Sequence, residues 1–428
     1  MRRATLSLLA LLLATAALGQ DCPAQHLDDV LSPIDAVRLK ATVDKLAAFG
    51  TRHTLSDTTS STRGIGAARR WIFDEMSRLA ADSGGRMTVE YQSSMQQSKR
   101  TNDKPAEMIN VVATIRGTSD PNRVYLATGH YDSMNSNMMD PAGDAPGADD
   151  DASGTAVVME LARVLSKTPA GATIILAAVM GEEQGLLGSK GLAEWAVEKK
   201  LDVEGYITND IVGGIAGSNG ATDSQTVRIF SANDKPNSES SSRHWARFVR
   251  DGVRQWLPAV HPRLVYRLDR YARGGDHRPF FEKGFPAIRF TEANEDYHHE
   301  HQSPRLENGV QYGDLPQYVD GNYLKLVASV NAVALVTAAC APAAPKNVKT
   351  TVKAGLNDTI LTWDAGTDAG LDHYEIAIRE TTSDEWERVI PVAKGVTYTI
   401  KNVTIDNYFM GVRAVDKDGN RSPVRSVE

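Results

Sequence analysis

The segment Gly147–Leu165, GADDDASGTAVVMELARVL, places three carboxylates, Asp149, Asp150 and Asp151, directly before an apolar run with helical spacing. Like charges side by side repel, so the segment needs a reason. One is a solvated helix N-terminus, where unpaired N–H groups and the helix dipole favour anions. The other is a bound cation, which offsets repulsion between carboxylates gathered at one point.

Working outward, the run VYLATG before this segment ends in His130, Tyr131 and Asp132, and IILAAVMG after it ends in Glu182 and Glu183. GYITN ends in Asp210, and FPAIRF leads toward Tyr297, His298, His299, Glu300 and His301. Continuous Val/Ile/Leu runs alternating with amphipathic helical stretches (GAARRWIFDEMSRLA, LLGSKGLAEWAVEK, SSSRHWARFVRDGVRQWL) predict an α/β fold. Its central sheet is mostly parallel and covered by helices on both faces. Ser32 with Pro33 is expected to start a helix that Gly50 ends. In such a sheet, ligands bind beyond the carboxyl ends of the strands. The acid and imidazole clusters all fall there. Each alone has a plain reading: a surface glutamate pair, a hydrogen-bonded core histidine, a polar loop. Together they read as a divalent-metal site, and mixed N and O donors without cysteine point to zinc.

The ends of the chain differ from this middle. MRRATLSLLALLLATAALGQ has basic Arg2 and Arg3, a short apolar stretch, and small residues Ala17 and Gly19 at the −3 and −1 positions of a cleavage site. Residues 1–19 are therefore expected to be an export signal, making the mature chain secreted or periplasmic. The mature chain is expected to have no membrane span. Two cysteines, Cys22 and Cys340, are expected to pair in an oxidising compartment, tying the start of the larger domain to its end. The 428 residues are 41% hydrophobic and 24% charged with a net charge of −7, enough for a large core and a second domain. An acidic chain with no basic stripe argues against nucleic acid as a partner.

After Cys340 comes a Pro/Ala linker over residues 342–346, and then short alternating runs, TILTW, HYEIAIRE, TYTI and YFMGVRAVD, between turn clusters. Residues 347–428 are expected to form a small antiparallel sandwich. Trp363, Tyr374 and Tyr408 make it resemble a fibronectin type III domain, with Tyr408 where the tyrosine corner stands. That resemblance implies an accessory module whose partner is a surface or a polymer. Asn402 opens an Asn-Val-Thr glycosylation triplet.

GHYDS, GADDDASG, MGEEQGLLGS, a strand-end Asp and a late His, in that order, resemble the co-catalytic dizinc aminopeptidases. That family's relatives include glutamate carboxypeptidase and the glutaminyl cyclases. The resemblance, over roughly residues 100 to 340, implies two zinc ions in a domain spanning residues 20–341. Asp150, the first residue of the D-x-x-S-G pattern, would bridge them. His130 and Asp210 would complete one ion's ligands, and Glu183 with His301 the other's. His298 is the alternative to His301, and would make Tyr297 an oxyanion donor. The resemblance also implies an unusual backbone near Asp150–Asp151. Glu182 is implied as the general base, and Asp132 as the acceptor that orients His130. Asp276 and His277 match a segment that lines the site, or else cap a helix. The expected activity is removal of N-terminal residues from peptides or proteins. The alternatives are a glutaminyl cyclase or carboxypeptidase on the same fold, and a non-catalytic binding protein.

Overall fold

A computed structural model describes residues 22–352 and 357–427. The export signal expected over residues 1–19 lies outside the described residues. One sheet of eight strands organises the larger part of the chain. These are β1 (Met87–Gln96), β2 (Ala106–Ile115), β3 (Asp120–His130), β4 (Ala172–Val179), β5 (Asp202–Asn209), β6 (Thr226–Phe230), β7 (His261–Val265) and β8 (Ala287–Glu292). Their spatial order is β1-β2-β4-β3-β5-β8-β6-β7. The inner run β4-β3-β5-β8 is parallel throughout, β6 pairs parallel with β7, and β1, β2 and the β6–β8 pair are antiparallel. The strands that read as unbroken apolar runs are the buried inner ones, where both faces are covered.

The helices are α1 (Asp28–Leu31), α2 (Ala36–Ala47), α3 (Ile65–Ala81), α4 (Ala152–Leu165), α5 (Leu187–Glu198), α6 (Ser241–Trp256), α7 (His277–Glu282) and α8 (Gly321–Cys340). Two apolar clusters lie on opposite faces of the sheet. The larger joins α2, α3, α4, α6 and α8, and the smaller joins α5 and α7. The helix expected from Ser32 starts later. Asp35 caps α2, accepting from the N–H of Val37 at 2.8 Å, whereas Ser32 ends the short α1. Pro33 stands between the two helices, not at the first turn of the second.

Helix α8 is long and apolar enough by composition to cross a membrane, yet it is buried against α2, α4 and α6 as a core element. Its last residue, Cys340, is bonded to Cys22 with Cα atoms 5.8 Å apart.

After a hairpin of β9 (Arg305–Glu307) and β10 (Val310–Tyr312), the chain ends in two further sheets. One holds β11 (Lys349–Val352), β12 (Thr359–Thr362) and β15 (Thr397–Ile400). The other holds β13 (Leu371–Glu380), β14 (Arg388–Val392), β16 (Tyr408–Asp416) and β17 (Arg425–Ser426). Trp363 and Tyr374 meet edge to face, with ring centres 5.4 Å apart, in the apolar layer between them. Tyr408 opens β16 at the rim of that layer. The hydroxyl bonded to backbone is that of Tyr374, which accepts from the N–H of Gly366 at 2.7 Å.

The two parts are joined by charge. On α6, Arg247 and Arg250 are each 1% exposed. Arg247 grips Glu239 through two bonds of 2.7 and 2.9 Å, Arg379 of β13 reaches the same Glu239, and Arg250 bonds Asp384 at 2.9 Å. A guanidinium held this far from water keeps its place only with its partners, because leaving a buried charge unpaired is costly.

Candidate dinuclear metal site

The close passage of β3 under the start of α4 sets up the site. A Cβ on Gly129 would lie 2.2 Å from the Gly154 carbonyl carbon, and one on Gly154 would lie 2.2 Å from the Asn209 oxygen. Only glycine fits at either position, and the contact brings the three aspartates over the strand ends.

The three then take different tasks. Asp151 caps α4, accepting from the N–H of Gly154 at 2.8 Å, and also accepts from the N–H of His130 at 2.8 Å. Asp149 turns the other way and accepts from the N–H of Gly213 at 2.7 Å; burial pushes its carboxyl up to about 6. Asp150 alone points into the space beyond the strands. The Asp150–Asp151 peptide is cis.

Around Asp150 two trios form. His130 Nε2 is 3.0 Å from one Asp150 oxygen and 3.9 Å from Asp210 Oδ1. His301 Nε2 is 2.9 Å from the other Asp150 oxygen and 3.2 Å from Glu183 Oε1. Within each trio the candidate ligand atoms lie within 4.8 Å of one another. His130 Nε2 and Glu183 Oε1 are buried and have no hydrogen-bond partner. Buried polar atoms left so are uncommon, and here each faces carboxylates of its own trio on either side of Asp150, an arrangement a bound cation would satisfy. Imidazole and carboxylate donors without thiolate suit zinc.

Of the late histidines, His301 alone reaches Asp150. The His298 ring stands beside Asp296 at 3.2 Å, and that of His299 stacks on Tyr318 with ring centres 3.6 Å apart. His301 sits at φ 53°, a left-handed conformation, as does Ile211 just after Asp210. Tyr297 is 62% exposed, and the donor role that depended on His298 being the ligand has no support once His301 is the histidine beside Asp150.

Asp132 does more than the sequence implies. The His130 Nδ1 faces the Asp132 backbone oxygen at 3.2 Å, closer than the Asp132 carboxylate at 3.6 Å. The carboxylate instead accepts from three consecutive N–H groups, Gly181 at 2.8 Å, Glu182 at 3.2 Å and Glu183 at 3.2 Å, and from the Thr54 hydroxyl at 3.0 Å. Burial would raise its pKa, but the His130 ring and these donors hold it below the usual carboxylate range. Asp132→Asn turns an amide N–H toward backbone donors. The expected result is a ten- to hundredfold loss of zinc affinity or activity, read by metal titration and kcat/KM.

Glu182 belongs to neither trio. It sits half-buried beside them, and burial holds its carboxyl well above the ordinary range, with the charges of Asp210 and Glu183 adding to the effect.

Three supports went unread in the sequence. Arg289, fully buried on β8, lies 3.0 Å from Asp210 and 3.2 Å from Asp269. Asp314 accepts from the N–H groups of Asp149 and Asp150, each at 2.8 Å. Arg52 donates to the carbonyls of Tyr131 at 2.7 Å and Gly147 at 2.8 Å, locking the aspartate loop to the end of β3. Asp276 makes no cap on α7; it accepts from the Ser189 hydroxyl, and burial pushes its carboxyl up to about 7.

A family model described as Peptidase family M28 matches residues 110–309. A probable zinc metalloprotease of Leptosphaeria maculans is 43% identical over 95% of this chain and 97% of its own. A second, from Pyrenophora teres f. teres, is 42% identical over 94% of this chain and 86% of its own. The chain belongs to peptidase family M28. Membership of a peptidase family makes this M28 chain a hydrolase, and its relatives carry the name probable zinc metalloprotease. Among solved structures, LapB from Legionella pneumophila matches with a TM-score of 0.56 at 20% identity, covering 73% of this chain and 74% of that one. An aminopeptidase from Aneurinibacillus matches at 0.53 and 16% identity, covering 73% and 96%, and a Porphyromonas gingivalis glutaminyl cyclase at 0.50 and 20%, covering 71% and 98%. At these identities the likeness shows the M28 chain's fold.

Proposed function

We propose that the chain is an exported aminopeptidase that holds two zinc ions and removes N-terminal residues from peptides or proteins. The observation that carries the reading is the shared Asp150, whose two oxygens face two separate ligand trios, with Glu182 beside both and bound into neither. His130, Asp150 and Asp210 would hold one ion; Asp150, Glu183 and His301 would hold the other. Zinc in such a site supplies a Lewis acid and lowers the pKa of water beside it. Glu182 takes a proton from the attacking water and gives it to the departing amine. Asp132 keeps Glu182 at the mouth of the site by holding its backbone N–H, and Arg289 keeps Asp210 turned inward.

Export is supported by the Cys22–Cys340 bond, since disulfides persist in oxidising compartments. The fibronectin type III reading of the last segment is supported by its three- and four-stranded sheets and its buried Trp363. In this reading it is an accessory module that holds a surface or a polymer.

The test counts zinc in the purified mature chain and measures release of p-nitroaniline from aminoacyl substrates, free or acetylated at the amine. Two zincs per chain and turnover of free amines alone are expected, with activity lost to a chelator and restored by zinc. Two zincs with turnover of blocked substrates alone would overturn the aminopeptidase. A single zinc with cyclisation of N-terminal glutamine would assign the chain to the cyclases.

A further inference from the structure

Two hollows open beside the catalytic residues, and they differ in charge. One, of about 250 Å³, contains Asp150 and has Asp149, Glu292, Asp314 and Glu300 in its walls, with Ile211 and Ile215. The other, of about 670 Å³, contains Glu182 and is rimmed by Lys99, Arg100, Lys190, Arg278 and Lys283. The rest of the argument rests on the aminopeptidase reading. A residue that protonates the departing amine stands on the leaving-group side of the scissile bond. The hollow with Glu182 therefore receives the part of the substrate after that bond, and the acidic hollow receives the part carrying the free amine.

The geometry points to a carboxylate-recognising subsite in this second hollow, so that the enzyme favours peptides with an acidic group just after the scissile bond. Five cations face three carboxylates there: Glu182 itself, Glu282, which pairs with Arg278 at 2.7 Å, and Glu194, which accepts from the neutral amide of Gln96 at 3.0 Å. Among the described residues, Lys99, Lys190 and Lys283 have no carboxylate partner.

The turn that carries two of the cations, Lys99 and Arg100, is also fixed to the catalytic loop. Ser98 donates to the Gln184 carbonyl at 2.6 Å, and Arg100 Nη1 donates to the Glu183 carbonyl at 2.5 Å. The turn carrying Lys99 and Arg100 is closed by a reciprocal cap between Ser98 and Thr101. Arg100 thus stands one carbonyl away from a proposed zinc ligand, with the rest of its guanidinium fork free for an anion. A cleft lined by one sign of charge concentrates ligands of the other, and the effect weakens with salt.

The carboxylate has two sources, an acidic side chain or the chain terminus of a short peptide. Three peptides with an apolar first residue separate them: Leu-Glu-amide, Leu-Gln-amide, and Leu-Gln with a free terminus. In wild type, kcat/KM for Leu-Glu-amide is expected to exceed that for Leu-Gln-amide by about tenfold at low salt, and the ratio to shrink in 0.5 M NaCl. An equal gain for Leu-Gln with a free terminus over its amide identifies the terminus as a second ligand of the same subsite. Lys190→Glu/Lys283→Glu is expected to abolish the preference, bringing the kcat/KM ratio of Leu-Glu-amide to Leu-Gln-amide to about one or below. A wild-type ratio near one, or a ratio that the charge reversal leaves unchanged, overturns the subsite. If no peptide is cleaved, the aminopeptidase reading has failed, and calorimetry decides the subsite separately. The zinc-loaded Glu182→Gln protein should bind Leu-Glu-amide more tightly than Leu-Gln-amide and lose the difference on charge reversal. Equal binding of the two overturns it.

Discussion

In Glu182→Gln protein, kcat falls by about 10²–10⁴ while zinc content stays at the wild-type value. The substitution keeps the side chain's length and shape but removes its ability to carry a proton. Glu182 contributes no atom to either ligand trio, and its backbone N–H stays bonded to Asp132 whatever its side chain is. Metal and proton transfer are therefore separable at this position. The measurement pairs metal analysis with kcat and KM for one free-amine substrate, with KM changing less than kcat. Zinc lost together with activity would make Glu182 a ligand. Zinc and activity both retained would remove it from the mechanism.

The second large effect is on stability. Arg289→Met is expected to lower the free energy of unfolding by about 3–5 kcal/mol, measured by urea denaturation of the zinc-loaded protein. Arg289 is fully buried, reaches Asp210 and Asp269, and donates to the carbonyls of Gly274 at 3.1 Å and Asp210 at 3.3 Å. Methionine fills much of the same space and offers no donor, so Asp269 is left charged and buried with one of its two guanidinium partners gone. Adding Asp269→Asn to the same chain should recover part of the loss, because it removes that stranded charge. A loss below about 1 kcal/mol would mean that Arg270, bonded to Asp269 at 3.1 Å, suffices alone.

The inner sheet was legible because burial on both faces writes itself as apolar runs, unbroken in ATIILAAV of β4 and interrupted by single charges in β5 and β8. β1 and β7 went unread. MTVEYQSSMQ is half polar because one of its faces meets water, and HPRLV is a short edge strand with a proline. The start of α2 was misplaced because Ser32 and Asp35 are both capping residues, and only the packing beneath decides between them.

At the site, residues that sit at strand ends in recognisable order could be read, and those that support them from a distance could not. Asp314 and Arg52 come from loops whose sequence looks ordinary; their role exists only once the fold brings them against the aspartate loop. Arg289 did leave a trace, a lone cation inside the buried strand AIRFTE, where a charge has to find an anion. The choice of His301 over His298 depended on the path of one turn. In that turn His301 takes a left-handed conformation and swings toward Asp150, while its neighbours face Asp296 and Tyr318.

The arginines of α6 bear on how the last two sheets serve the rest of the chain. With Arg247, Arg250 and Arg379 locked onto Glu239 and Asp384, the small sandwich is bolted on at one bearing and does not swing on a leash. The two parts then keep one relative setting, so the mouth of the cleft holds a fixed angle to the outer face of the last two sheets.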